Sequence, residues 1–185
     1  MTSQLVPGAA ATASPAADAP GLATAAMDPA LAPWKAFLHA HARLTRRLDE
    51  ELQATHHLSL AEYDALVQLA AAPDRRLRMS SLADRVLLSR SGITRLVDRM
   101  VADGMVERTA CPTDARGAIA GITLAGVDRL RAARGTHLDG VRRYFLDVLT
   151  PEDQGVIERA LARVTDGLGT NPSAASAACG PTDGA

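Results

Sequence analysis

The chain is poor in the residues that most often narrow a functional reading. Its 185 residues include two cysteines, one tryptophan, two tyrosines and two phenylalanines, and Lys35 is the only lysine. Cys111 and Cys179 cannot build a disulfide framework and fit a reducing, cytoplasmic setting. No run approaches about 18 uninterrupted apolar residues, so no membrane span is expected. No positive charge precedes the mildly apolar start, so a signal peptide is not expected either. There is no Gly-rich phosphate loop, no nucleophile motif and no recognisable pair of acids, which leaves catalysis without a candidate residue. His39 and His41 raise a metal reading, but at i and i+2 they point to different sides of a helix, and His56-His57 reads as a solvent-facing helix end or a cap. No metal ligand or cofactor is assigned.

The formal net charge of −1 argues against a general nucleic-acid coat, yet the charge is unevenly placed. From Arg75 to Arg116 the arginines (Arg75, Arg76, Arg78, Arg85, Arg90, Arg95, Arg99, Arg108 and Arg116) outnumber Asp84, Asp98, Asp103, Glu107 and Asp114, so the middle is locally basic. Residues 1–30 and 169–185 are mostly Ala, Gly, Pro, Ser and Thr. They cannot bury enough apolar surface to offset the entropy of ordering and are expected to be disordered, leaving one domain over 31–168.

Within that domain the periodicity is helical. Trp34, Phe37, Leu38, Leu48 and Leu52 mark a long first helix over about 33–55. Ser59-Leu-Ala-Glu62 is a capping box that starts a second helix through Tyr63, Leu66, Val67 and Ala70, and Pro73 forbids its continuation. Pro73 to Arg78 reads as a polar connection. Ser80 or Ser81 then caps a short helix to Leu88 that turns Leu82, Val86 and Leu87 inward, and Ser89 caps the next one. In this last helix Ile93, Leu96, Val97 and Met100 form an apolar stripe, while Ser91, Arg95 and Arg99 line the opposite face with Thr94 and Asp98 beside them. Two such helices read as a helix-turn-helix, whose second helix enters a DNA major groove. The plainer alternative is an ordinary pair of core helices with solvated arginines.

The segment beyond Ala102 favours the first reading. Gly104 can take the left-handed conformation that ends a helix; Met105 to Cys111 then resembles a strand, Pro112 to Gly117 a turn-rich loop, and Ala118 to Leu124 a second, weak strand. Helix, turn, helix and hairpin make a winged helix. Beyond it lies a long helical pattern carrying Leu130, Leu138, Val141, Phe145 and Val148, with a bend expected near Gly135 and Gly140. Thr150-Pro-Glu-Asp153 starts a last helix with Val156, Ile157, Ala160, Leu161 and Val164 on its stripe. The fold class is therefore mainly α with a small β-hairpin wing: a winged helix-turn-helix over about 59–124, flanked by helices at about 33–55 and 124–168. The flanking stripes are longer than one small core can bury, so these helices are expected to form a homodimer interface. The alternative is a monomer whose helices wrap the winged core.

From about Trp34 to Leu168 the chain resembles the MarR family of bacterial transcription regulators. The most specific match is the wing: Asp103-Gly-Met-Val-Glu-Arg108, then Asp114-Ala-Arg116, Ile122-Thr123 and Gly126. Gly117-Ala-Ile-Ala-Gly121 lacks the basic residues often found past the wing arginine. The resemblance implies that Arg116 enters the minor groove, that Asp114 braces it, and that Ser89 to Asp103 reads the major groove. The DNA-contacting set then comprises Ser80, Ser89, Arg90, Ser91, Thr94, Arg95, Arg99, Asp114, Arg116 and Gly117. It also implies a cytoplasmic homodimeric repressor, with no enzymatic activity, on a palindromic double-stranded operator. A small aromatic or phenolic effector would bind among Trp34, Lys35, Phe37, Leu38, His41 and Tyr63. Two other readings stay open: redox response through Cys111, and a winged helix serving as a protein-interaction module.

Overall fold

A computed structural model describes residues 28–111 and 114–168, with the backbone alone at 114–116. The expected disorder of residues 1–27 and 169–185, and Cys179 with it, lies outside the described residues. Asp28 to Ala30, assigned from sequence to the disordered tail, are ordered: the Asp28 carboxylate accepts the Ala30 N–H at 2.9 Å and caps a 3-10 turn, Pro29–Leu31. The chain divides into two compact units, one ending at His41 and the other starting at Ala42.

In the first unit, helix α1 (Ala32–His56) begins and carries Trp34, Phe37 and Leu38 exposed. In the second unit the rest of α1 buries Leu48 and Leu52. Helix α2 (Leu60–Ala70) has the expected capping box, with Ser59 accepting from the Glu62 N–H and Glu62 accepting from the Ser59 N–H. The short helix α3 (Met79–Arg85) and helix α4 (Arg90–Ala102) form the helix-turn-helix. Leu52, Leu58, Leu66, Leu69, Leu82, Ile93, Val97 and Met100 meet in one core. An aliphatic side chain buried this way contributes about 1.5–3 kcal/mol, so the stripe Ile93, Leu96, Val97 and Met100 fixes which face of α4 turns inward.

Three local expectations need correction. Pro73 to Arg78 is not only a polar connection: a 3-10 turn, Pro73–Arg75, leads into strand β1 (Arg76–Arg78), which delivers the chain straight into α3. Helix α3 therefore starts two residues early. Its cap, Arg78, makes no side-chain cap hydrogen bond, Ser80 lies exposed in the first turn, and Ser81 is buried. Leu87 does not turn inward but stands 90% exposed with φ 55°, between the two helices. A leucine there bears left-handed strain that its exposed side chain does not offset by packing. Leu87→Gly is expected to raise the unfolding free energy by about 0.5–1 kcal/mol, the relief of that strain less the added freedom of the unfolded chain. A urea midpoint that falls would show that the side chain packs after all.

Asp103 caps the end of helix α4, and Gly104 takes φ 71° as expected. Strands β2 (Val106–Cys111) and β3 (Asp114–Ile122) form the wing, so Asp114 to Gly117, read as loop, are strand instead. The sheet order is β1-β3-β2, all antiparallel, with Leu77 opposite Ala120 and Val106 opposite Ile122. A register shift at Ala110/Cys111 brings Cys111 opposite Asp114. Thr123 caps helix α5 (Leu124–Val141). The bend expected near Gly135 and Gly140 is absent from α5 itself, and the irregularity is a π-helical turn just past Gly140, Arg142–Leu146. Tyr144 sits in that turn between the Arg47 and Arg143 guanidinium groups, each 5.6 Å from its ring, and donates to the Glu51 carboxylate. Helix α6 (Pro151–Gly167) begins with the expected Thr150 cap and Pro151. Val156, Leu161 and Val164 on its stripe are all exposed.

Candidate nucleic-acid interface

The outward face of α4 is set by its cap. The Ser89 hydroxyl accepts the Gly92 N–H at 3.1 Å and lies 3.2 Å from the Ser91 hydroxyl. With Ile93, Leu96, Val97 and Met100 buried, Arg90, Ser91, Arg95, Asp98 and Arg99 have only the solvent side to occupy. They are not equivalent. Thr94, partly buried beside them, donates its hydroxyl to the Arg90 carbonyl at 2.9 Å, so that donor is committed to the helix itself. The Arg99 Nε faces the Glu62 carboxylate at 3.5 Å, and its guanidinium reaches back to the Arg95 carbonyl at 3.4 Å. Arg90 and Arg95 make no ion pair among the described residues.

Between α4, the start of α3 and the wing lies an open groove of about 390 Å3, lined by Arg78, Ser80, Arg90, Thr94, Arg108 and Gly117. Arg108 is held there by Asp98 at 3.1 Å, which ties the wing strand β2 to α4, and Arg76 pairs with Glu107 across the sheet. Arginine is a permanent cation with a flat fork of donors, so a groove walled by Arg78, Arg90 and Arg108 can hold phosphate oxygens. The structure thus brings Ser80, Arg90, Thr94 and Gly117 of the expected DNA-contacting set around one groove, next to Ser89, Ser91 and Arg95. The Asp114 and Arg116 backbones lie in β3, and their side chains are outside the described residues. Sequence reasoning passed over Arg78 and Arg108. Their only signal was membership of the basic stretch.

The expected effector residues fall in both units. In the first, the Trp34, Phe37 and His41 rings follow one another along α1 with centroids 6.0 Å apart at each step. In the second, Tyr63 is buried with its ring centroid 4.3 Å from that of His137. Burial pushes the Tyr63 phenol and the neighbouring Asp64 carboxyl up and the His137 imidazole down, with the Asp64–His137 attraction opposing the last two shifts. His56, read as a helix-end residue facing solvent or capping, instead hydrogen-bonds the Thr136 hydroxyl on α5 at 2.8 Å. Cys111 is buried at the wing, a setting that shields a thiol from oxidants. Among the described residues no cluster of three His, Cys, Asp or Glu side chains could hold a metal, and no helix is long and apolar enough to cross a membrane.

A capped recognition helix on a helix-turn-helix, with an antiparallel hairpin packed beside it, defines the winged helix-turn-helix class. Within that class, residues 56–117 match the model of the MarR family. A MarR family transcriptional regulator from Streptomyces coelicolor, Sco3205, solved in complex with DNA, is 36% identical, with 75% of this chain and 87% of that one covered and a TM-score of 0.70. AbsC, a MarR family transcriptional regulator from the same organism, is 32% identical over 77% of this chain and 95% of its own, also with a TM-score of 0.70. Sco5413, another from that organism, is 26% identical over 78% and 99%, with a TM-score of 0.65. No curated protein matches. The chain belongs to the MarR family of transcriptional regulators, which are not enzymes.

Proposed function

We propose that the protein is a cytoplasmic homodimeric repressor that reads a palindromic double-stranded operator through α4 and the wing and is released by a small aromatic ligand. The observation that carries DNA reading is the arginine-walled groove beside Arg95, an exposed guanidinium with no ion-pair partner among the described residues, on the helix whose other face is fixed by the core. The DNA-bound state of the 36%-identical Sco3205 supports the same reading. In this scheme α4 supplies direct base contacts, Arg78 and Arg90 hold the backbone, Arg108 ties the wing to α4 through Asp98, and Arg116 enters the minor groove with Asp114 bracing it.

The homodimer rests on exposed apolar side chains in both units: Leu31, Trp34, Phe37 and Leu38 in the first, Val156, Leu161, Val164 and Leu168 in the second. Such residues mark a surface for another protein, and a second copy supplies two recognition helices spaced by about one DNA turn, ~34 Å. The winged region 59–124 then reads DNA while helices 33–55 and 124–168 join the two copies. The ligand reading rests on the exposed Trp34–Phe37–His41 ladder, which offers stacking surface for an aromatic ring.

Selection of bound duplexes from a random pool tests the central claim. The expected product is an inverted repeat with half-sites one helical turn apart, bound by a dimer in sedimentation equilibrium. Failure to enrich any sequence would overturn it. Titration of aromatic carboxylates with and without the selected operator tests release, because a ligand that weakens DNA binding must itself be weakened by DNA to the same factor.

A further inference from the structure

The acid that closes the α2 cap also reaches the recognition helix. Glu62 is 8% exposed and divides its two oxygens: Oε2 accepts the Ser59 N–H at 2.9 Å, and Oε1 faces the Arg99 Nε at 3.5 Å. A carboxylate so buried is costly unless it is hydrogen-bonded and paired, and the Arg99 guanidinium supplies the opposite charge. The same cap is held from α1, where Asp49 accepts the Leu60 N–H at 2.8 Å. Two carboxylates therefore fasten the start of α2, and one of them also grips α4.

We infer that Glu62 is a positioning residue that withholds Arg99 from DNA phosphate and so leaves discrimination to Arg95. The inference rests on the DNA-reading function proposed above. Ser91, Arg95 and Arg99 share one face of α4, but Arg99 stands in its last turn, beyond the N-terminal part of a recognition helix that meets base edges, so a guanidinium freed there takes phosphate and adds affinity that carries no sequence information. Held by Glu62, Arg99 instead braces α4 against α2 and directs an Nη1 donor to the Arg95 carbonyl.

Glu62→Gln tests this with little change of shape, since the amide oxygen can still accept the Ser59 N–H while the charge opposite Arg99 is gone. Binding to operator and to random duplex is measured across a salt series, with thermal melts to confirm folding. Freed Arg99 is expected to tighten random-DNA binding severalfold at low salt, to steepen the plot of log K against log salt by about 0.9, one extra phosphate, and to lower the operator-to-random ratio. Adding Arg99→Gln to Glu62→Gln returns the slope to that of the parent. If Glu62→Gln weakens both DNAs alike at an unchanged slope, Glu62 is structural only and the inference is overturned. If that variant does not fold, Arg99→Gln alone decides: an unchanged slope supports the inference, and a slope shallower by about 0.9 places Arg99 on phosphate and overturns it. A parent protein that prefers no sequence at all refutes the DNA-reading function instead, so the two failures are distinguishable.

Discussion

Gly126→Ala is expected to lower the unfolding free energy by about 3 kcal/mol, the upper end of what one inserted methyl costs in a packed site. A Cβ at this position would stand 2.2 Å from the Met105 carbonyl oxygen and 2.8 Å from the Ile122 side chain. The first contact is with backbone, so no rotamer change relieves it. That backbone is pinned: the Met105 carbonyl accepts the Thr123 N–H at 3.1 Å, and the Thr123 hydroxyl donates to the Gly104 carbonyl at 2.7 Å while accepting the Gly126 N–H at 3.0 Å. Relief therefore requires α5 to lift from the turn that leads into β2, which displaces the wing, and operator affinity should fall with stability. Gly135→Ala is the internal comparison. Nothing lies within 4 Å of its Cβ position, so alanine there should add about 0.5–1 kcal/mol through helix propensity alone. Equal urea midpoints for the two variants would refute the packing argument.

Arg95→Ala is expected to cost about 1–3 kcal/mol on the selected operator, roughly 5- to 150-fold in affinity, with a much smaller loss on random duplex. The asymmetry follows from its surroundings. Arg99 is drawn toward Glu62 and Arg108 toward Asp98, whereas Arg95 projects from α4 with no ion-pair partner among the described residues. Because nothing in the fold leans on its guanidinium, thermal stability should stay at the parent value. Equal losses on both DNAs would assign Arg95 to phosphate rather than to a base edge.

Much of this architecture was legible where short-range chemistry decides it. Ser59 with Glu62, Ser89 ahead of α4, and Thr150-Pro151 ahead of α6 each mark a helix start within three or four residues, and the structure begins helices at all three. Gly104 marked the end of α4 for the same reason. The features that escaped depend on partners distant in the chain. Strand β1 is three residues long with one buried side chain, Leu77, between two arginines, and it exists only because β3 pairs with it. The Ser80 or Ser81 cap failed as a consequence, since that strand sets the start of α3. The stripe through Phe145 and Val148 assumed unbroken α periodicity, but the helix passes into a π-helical turn at Arg142–Leu146 and ends there, and Val148 falls in the turn that follows, exposed. On the candidate interface, Arg95 and Arg99 were indistinguishable by spacing. Only the approach of Glu62, capping a different helix, separates them.

The groove between α4 and the wing is walled by arginines, without a lysine or a histidine. Its positive charge therefore cannot be neutralised by acetylation, which acts on amines, nor switched off by any pH a cell reaches. A signal that loosens the protein from DNA has no charge there to remove; it has to move these arginines or bring an anion in among them.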